Sequence, residues 1–312
     1  MKFGDFRIET ISDTEFRLDG GAMFGVVPRV LWEKVCPPDE QNRIQMQTHC
    51  LFVETPGEKI LIETGMGEKW TEKQSTIYGV NREKPFAETL FERTNCKPED
   101  ITIVVNTHLH FDHCGGNTIF EDQLPITNYQ LRDDKSSKFK VQSSKFEDQS
   151  PKPDNRKIVP AFPNARYLVS QKEFEHAENP TDRDRASYIS DNWEALKASG
   201  QLELKPSFYE VTAGITMTEM RGHNGSMQSV KIESDGETLY SFSDVLPTTA
   251  HLPLPWIMGY DLFPLETLEN KKRLLPQALE ENWLCWFYHD FTSPLCRLTE
   301  DNGKLKATNL QI

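Results

Sequence analysis

Two short apolar runs are each closed by residues that cannot continue them. Lys59-Ile-Leu-Ile-Glu-Thr64 is β-branched and stops at Gly65-Met-Gly67, which predicts a strand followed by a tight turn. Ile101-Thr-Ile-Val-Val-Asn106 predicts a second, buried strand, preceded by a helical stretch from Phe86 to about Arg93 and a helix-start signal at Lys97-Pro-Glu-Asp100. Arg166 to Ser170 reads as another strand, with helical pattern at Gln171 to Glu178 and again at Asp182 to Ala198. Beyond Gly214 the pattern turns to β. Gly214 to Met220, Gln228 to Glu233 and Glu237 to Ser243 are strand-like, with Ser234-Asp-Gly236 as a hairpin turn. Leu265 to Glu281 has helical periodicity, which Pro276 is expected to kink or end. Trp283 to Tyr288 is an apolar strand candidate running straight into His289-Asp290. Strands alternating with helices in both halves predict a mixed α/β protein with helices covering sheets.

One segment breaks this alternation. Asp133 to Lys157 is rich in Ser, Lys, Asp and Gln and holds the tetrapeptide SSKF twice, at Ser136 and Ser143. It reads as a long polar, mobile insertion, with a lid over a nearby site as the sharper alternative. No linker divides the chain cleanly, so a single domain over residues 1–312 carrying this insertion is expected.

Charge narrows the partners. A formal net charge of −13 opposes binding to nucleic acid or to an anionic membrane surface, both of which need clustered Lys and Arg. A small neutral or amphiphilic substrate is the easier partner. The first residues, MKFGDFRIETISD, contain no apolar run of signal-peptide length, and no later stretch could span a bilayer, so a cytoplasmic location is expected. The six cysteines form neither a CxxC pair nor a dense framework, which predicts reduced thiols; Cys114 directly follows a histidine cluster.

That cluster carries the chemistry. Three of the eight histidines fall within six positions, at His108, His110 and His113, with Asp112 between them in the pattern H-x-H-x-D-H. Imidazole and carboxylate suit zinc, iron, manganese or cobalt. Four such groups on one loop can present themselves in two directions, which is natural for two ions and awkward for a single tetrahedral one. A histidine-rich solvated loop is the bland alternative. The buried strand before the cluster and Gly115-Gly116 after it argue against that.

This pattern resembles the metallo-β-lactamase superfamily. Three later segments resemble the same family: Arg221-Gly-His223-Asn-Gly-Ser-Met-Gln-Ser229, Phe242-Ser-Asp244 and Phe287-Tyr-His289-Asp290. The resemblance implies a four-layer αββα sandwich with the metals at one edge between the sheets. It implies that His108, His110 and His223 hold one divalent ion, that Asp112, His113 and His289 hold a second, and that Asp244 bridges them. Zinc is the first expectation, with iron, manganese or cobalt open. It further implies attack by a hydroxide shared between the ions, proton relay by Asp112, and orientation of the histidines by Glu63 and Thr64.

Further segments resemble the YtnP-type quorum-quenching N-acyl-homoserine lactonases: Asp19-Gly-Gly-Ala-Met-Phe-Gly-Val-Val-Pro28, Leu31-Trp32, Thr71-Glu-Lys-Gln74, Ser243-Asp-Val-Leu-Pro-Thr248 with His251, Pro255-Trp256 and Tyr260-Asp261. That resemblance implies opening of a lactone ring, in an assembly that is often a homodimer. Three departures stand out: the insertion is long, Pro247 stands where other lactonases carry a tyrosine, and Glu63 stands where many members have aspartate. Tyr260 is the candidate to replace that tyrosine. Met23, Phe24, Trp32, His251, Trp256 and Tyr260 are candidate substrate contacts. Core packing is equally open for Met23 to Val27, Trp32 and Trp256, and a structural role is equally open for His251. His49 and His176 match no metal segment and read as structural or surface groups. The same ligand set would serve another ester, a thioester or a phosphotriester. A di-iron redox or oxygen-binding centre is the alternative from another class, and such centres generally use more carboxylate than this chain offers.

Overall fold

Ile60 and Ile62 project to one side of their strand and Leu61 to the other, and this alternation builds the layers. The structure, a computed structural model, describes residues 1–124 and 156–309; the insertion expected at Asp133 to Lys157 lies outside the described residues apart from Arg156 and Lys157. Lys59–Ile62 pairs antiparallel with Arg43–Glu54 (Leu51↔Ile62, Val53↔Ile60) and parallel with Ile103–Val105 (Ile60↔Ile103, Ile62↔Val105). Leu51, Val53, Ile60, Ile62, Ile103 and Val105 therefore share one face. They meet Ile215, Met217, Val230, Ile232, Leu239 and Leu284 of a second sheet in one buried cluster. Each such fully buried side chain contributes roughly 1.5–3 kcal/mol, so this seam contributes heavily to stability.

The alternate residues face outward. Phe52, Leu61, Val104 and Tyr167 pack with Phe86 and Leu90 of the helix Phe86–Thr94 and with Leu196 of the helix Glu194–Ser199. On the other side Tyr240, Cys285 and Leu298 pack with Leu274, Leu275 and Ala278 of the helix Pro264–Glu280. The result is the expected helix–sheet–sheet–helix sandwich.

The order of the first sheet among the described residues is Lys2–Phe3, Phe6–Asp19, Arg43–Glu54, Lys59–Ile62, Ile103–Val105, Arg166–Ser170, Leu202–Lys205. It is antiparallel up to Lys59–Ile62 and parallel from there on. The second sheet runs from Phe208–Thr212 to Lys304–Asn309 in chain order, and Glu237–Ser241 pairs parallel with Leu284–Trp286. Parallel neighbours end on the same side, so the loops after Val105, Ser241 and Trp286 open at a common edge, where ligands of such sheets gather.

Two expectations change. Asp182 to Ala198 is not one helix but two 3-10 turns, Arg185–Ser187 and Ser190–Asn192, followed by Glu194–Ser199. The backbone breaks there because Asp184 is bonded to His176 and Thr181, and the Tyr188 hydroxyl to Glu173 and Asn224. Pro276 does not end its helix, which continues to Glu280 because Leu275 and Ala278 on either side are buried against the sheet. Among the described residues no helix is long and apolar enough to cross a membrane.

Candidate metal centre

The histidine loop leaves the Ile103–Val105 strand, and His110 precedes a single helical turn, Phe111–Cys114. The loop is pressed against residues 64–66 through glycine. A Cβ on Gly115 would lie 2.1 Å from the Met66 carbonyl oxygen, and one on Gly116 would lie 2.2 Å from that of Thr64. Glu63 and Ser243 adopt left-handed backbone angles, φ 62° and 46°. Each costs roughly 1–3 kcal/mol and survives only where the surroundings compel it. The compulsion is visible: Glu63 accepts the Thr107 N–H at 3.1 Å, the Thr107 hydroxyl and the Asn106 amide at 3.2 Å, while the Ser243 and Thr107 hydroxyls meet at 2.9 Å. Asp244, next in the chain, is thereby turned toward the histidines.

All seven anticipated side chains converge, and all are buried. Potential ligand atoms of His108, His110 and His223 lie within 4.8 Å of one another, as do those of Asp112, His113 and His289. Asp244 stands between the two groups. Its Oδ2 is 3.6 Å from His223 Nε2 and 4.0 Å from His108 Nε2, and its Oδ1 is 3.3 Å from His113 Nε2 and 3.5 Å from His289 Nε2. Glu63, His108 and His113 form a third such group. Glu63 Oε1 lies 3.3 Å from His113 Nδ1 but is already bound to Thr107, so it stands beside the ring and fixes the backbone of the histidine loop.

The donor set fits divalent cations. His223 Nδ1 faces Asp261 Oδ1 at 3.1 Å and His289 Nδ1 faces the Gln47 carbonyl at 3.3 Å, so each ring donates there and is held with Nε2 turned into the cluster. There the Nε2 atoms crowd other imidazole nitrogens, His110 Nδ1 at 3.0 Å and His113 Nε2 at 3.2 Å. His108 Nε2, His110 Nε2 and Asp244 Oδ1 are buried without a hydrogen bond. An orphaned buried polar atom costs about 1–3 kcal/mol, and cations among these atoms would satisfy several together. Burial, with His113 and His110 adding for His108, and burial with His223 for His110, hold both imidazoles well below their usual pKa, in the neutral form that binds metal. Burial alone would raise the Asp244 carboxyl, but His113 and His289 hold it well below the usual carboxylate range.

A cavity of about 380 Å³ opens over this floor. Its walls are apolar, with Leu18, Met23, Met46, Phe111 and Met258, and the Tyr78 and Tyr260 rings join them while Arg183 stands at the side. Of the substrate contacts expected from sequence, Met23 and Tyr260 line it. Phe24, Trp32, His251 and Trp256 do not. Phe24 stacks on Trp32 (centroids 5.3 Å) and on His251 (4.8 Å) and meets Trp256 edge-on (5.5 Å), so these four pack behind the wall. His251 donates from Nε2 to the Met23 carbonyl at 2.9 Å and holds the wall in place. His49 and His176 are structural, bonded to the Asp290 carbonyl and to Asp184. Pro247 contributes its carbonyl, which accepts the His289 N–H at 3.0 Å. Tyr78, Met46, Met258 and Arg183 were not anticipated. The capping box of Thr71 and Gln74 was a legible signal for the helix Glu72–Tyr78 that delivers Tyr78.

The chain belongs to the metallo-β-lactamase superfamily, whose family model matches residues 43–256. Together with the buried His/Asp clusters this defines a metal-dependent hydrolase of that superfamily. Over 269 residues the chain is 22% identical to an N-acyl homoserine lactonase of Bacillus cereus, matching 80% of this chain and 83% of that one. The structure of a probable metal-dependent hydrolase from Staphylococcus aureus is similar throughout, with TM-score 0.82 and 28% identity, covering 100% of this chain and 99% of the other. AidC, a dizinc quorum-quenching lactonase solved with a product, shares the fold at TM-score 0.73 and 17% identity, covering 100% and 97%.

Proposed function

We propose that the protein is a dinuclear metal-dependent hydrolase that opens the lactone ring of N-acyl-homoserine lactones. The observation that carries this reading is the pairing of a buried His/Asp floor with apolar, methionine-lined walls in one cavity. That shape suits a small polar ring attached to a flexible acyl chain, because methionine adapts to chains of varying shape. Similarity to lactonases over most of the chain supports it.

In this reading His108, His110 and His223 would hold one ion and Asp112, His113 and His289 the other, with Asp244 standing between the two groups. Bound divalent ions supply the chemistry of acidified water and a polarised carbonyl; zinc is the proposed metal, with iron, manganese and cobalt the alternatives. Asp112 lines the cavity with its Oδ2 3.5 Å from His289 Nε2, placed to pass a proton to the ring oxygen as it leaves. The Tyr78 and Tyr260 hydroxyls have no hydrogen-bond partner among the described residues. Burial raises both above the usual tyrosine range, Tyr260 to about 12, so both remain donors for a substrate oxygen. Water and lactone together give the open hydroxy acid, and no oxidant is needed.

The test is turnover of acyl-homoserine lactones from butanoyl to dodecanoyl by zinc-loaded protein, followed by proton release, with an aryl ester, a thioester and a phosphotriester alongside. Lactone turnover exceeding the other three is the expected result. Strong turnover of one of the other three with weak lactone opening would retain the metal centre and discard the substrate. Elemental analysis decides the metal, and two iron equivalents with redox cycling would favour the redox class.

A further inference from the structure

Glu173 touches neither the cavity nor any of the seven proposed ligands, yet it ties together the two loops that carry five of them, at points beside His108, His110 and His223. It lies in the first turn of the helix Gln171–Glu178, where Ser170 Oγ caps its N–H at 3.0 Å. Its side chain is fully buried. A buried carboxylate needs its lone pairs filled, and four donors fill them here. Oε1 accepts the Leu109 N–H at 2.8 Å and the Tyr188 hydroxyl at 3.1 Å. Oε2 accepts the Ser226 hydroxyl at 2.6 Å and the Asn224 amide at 3.1 Å.

The identity of those donors matters. Leu109 stands between His108 and His110, and Asn224 and Ser226 follow His223. The Asn224 amide cannot be turned round, because its Oδ1 already accepts the N–H groups of Ser226 at 2.9 Å and Met227 at 2.6 Å. Tyr188 also meets the His110 ring edge-on, centroids 4.8 Å apart. Every tie from Glu173 thus leads to a residue beside or shortly after His108, His110 or His223, or to a ring packed on His110. The carboxylate beside the other triad, Glu63, stands at His113 but is also bonded to Thr107, next to His108, whereas Glu173 has no tie to Asp112, His113 or His289.

We propose that Glu173 is a positioning residue that sets the spacing of His108 and His110 against His223, and through it the metal affinity of that subsite but not of the Asp112, His113 and His289 subsite. The proposal rests on the dinuclear reading given above, but on no particular substrate.

Glu173→Gln is the sharp probe. It keeps size and shape but replaces one acceptor oxygen with an NH2 group. The Tyr188 and Ser226 hydroxyls can reverse and accept, whereas the Leu109 N–H and the Asn224 amide can only donate, so one of those two ties is lost whichever way the new amide lies. Stepwise zinc affinities of the purified protein are measured by chelator competition, with bound metal counted by elemental analysis and the cobalt-substituted spectrum as a site-specific signature. The expected result is one ion weakened about 10–100-fold and the other unchanged. Equal weakening of both, or of neither, overturns the proposal. A single ion bound by the parent protein is assigned to a subsite by whether His223→Ala or His289→Ala abolishes binding, and Glu173→Gln must then weaken it in the first case and leave it unchanged in the second; a parent protein that binds none refutes both this and the dinuclear reading. Should Glu173→Gln fail to fold, Ser226→Ala removes one donor from the same carboxylate and should weaken the same ion in the same direction by less.

Discussion

The Tyr288 hydroxyl donates to the backbone oxygen of Asp112 at 2.6 Å, joining the end of one sheet to the histidine loop of the other. The same ring stacks on His113, centroids 4.3 Å apart. Tyr288→Phe keeps the stack and removes only the hydrogen bond, leaving a buried carbonyl without that partner. The expected cost is about 1–3 kcal/mol, read as a lower denaturant midpoint. An unchanged midpoint would mean that the bond contributes nothing net.

His108→Ala and Asp244→Ala each remove a proposed ligand, from a triad and from the bridge. Both should lose ring opening to near background while circular dichroism shows the fold retained. Full activity in either purified variant, with normal metal content, would sink the ligand assignment.

Chelation should abolish turnover and lower the melting temperature, because ions that bind only the folded chain stabilise it by mass action. At free metal 1,000-fold above the dissociation constant the gain is about 4 kcal/mol. Adding zinc back should restore both properties. Stability that ignores the chelator would argue that no ion is held among these side chains.

Acid should weaken the fold through His251. Burial, ahead of all other influences, lowers its pKa to about 4 in the folded protein, against about 6.5 in the unfolded chain. Between those values the unfolded chain binds a proton that the folded one refuses. Stability therefore falls as pH drops from about 6.5 to about 4, by about 3 kcal/mol from this residue, and the contribution levels off below that. The His251→Gln variant should show a flatter dependence of unfolding free energy over the same window. Parallel curves for parent and variant would contradict the assignment.

Ala22 lines the cavity from the short helix Gly20–Phe24. Ala22→Phe should fill part of the space proposed for the acyl chain and lower kcat/KM for the dodecanoyl lactone about tenfold, with far less effect on the butanoyl one. Equal losses across the series would place the chain elsewhere.

Two ligand loops were legible because an apolar run precedes them, Ile103–Val105 before His108 and Leu284–Trp286 before His289, and those at His223 and Asp244 because each follows a strand-like segment, Ile215–Glu219 and Glu237–Ser241. The long hairpin Phe6–Asp19 with Arg43–Glu54 was not. Its register shifts between Ser12 and Glu15, which breaks the period-two pattern, and the buried Asp13 there is bonded to Arg82. The Asp182 to Ala198 stretch misled because its helical pattern is overruled by bonds from Asp184 and Tyr188 to residues outside it. Phe24 and Met23 are adjacent and equally buried, yet only Met23 reaches the cavity. Which apolar neighbour turns inward depends on the stacking of Phe24 on Trp32 and His251, which local sequence does not encode.

The proposed ligands are drawn from both sheets, His108 to His113 from one and His223, Asp244 and His289 from the other. Ions seated among them would rivet the sandwich at one edge. Prising the sheets apart would then require stripping the coordination first, so the lifetime of the folded protein under heat or proteolysis would follow the rate of metal release more than the size of its core.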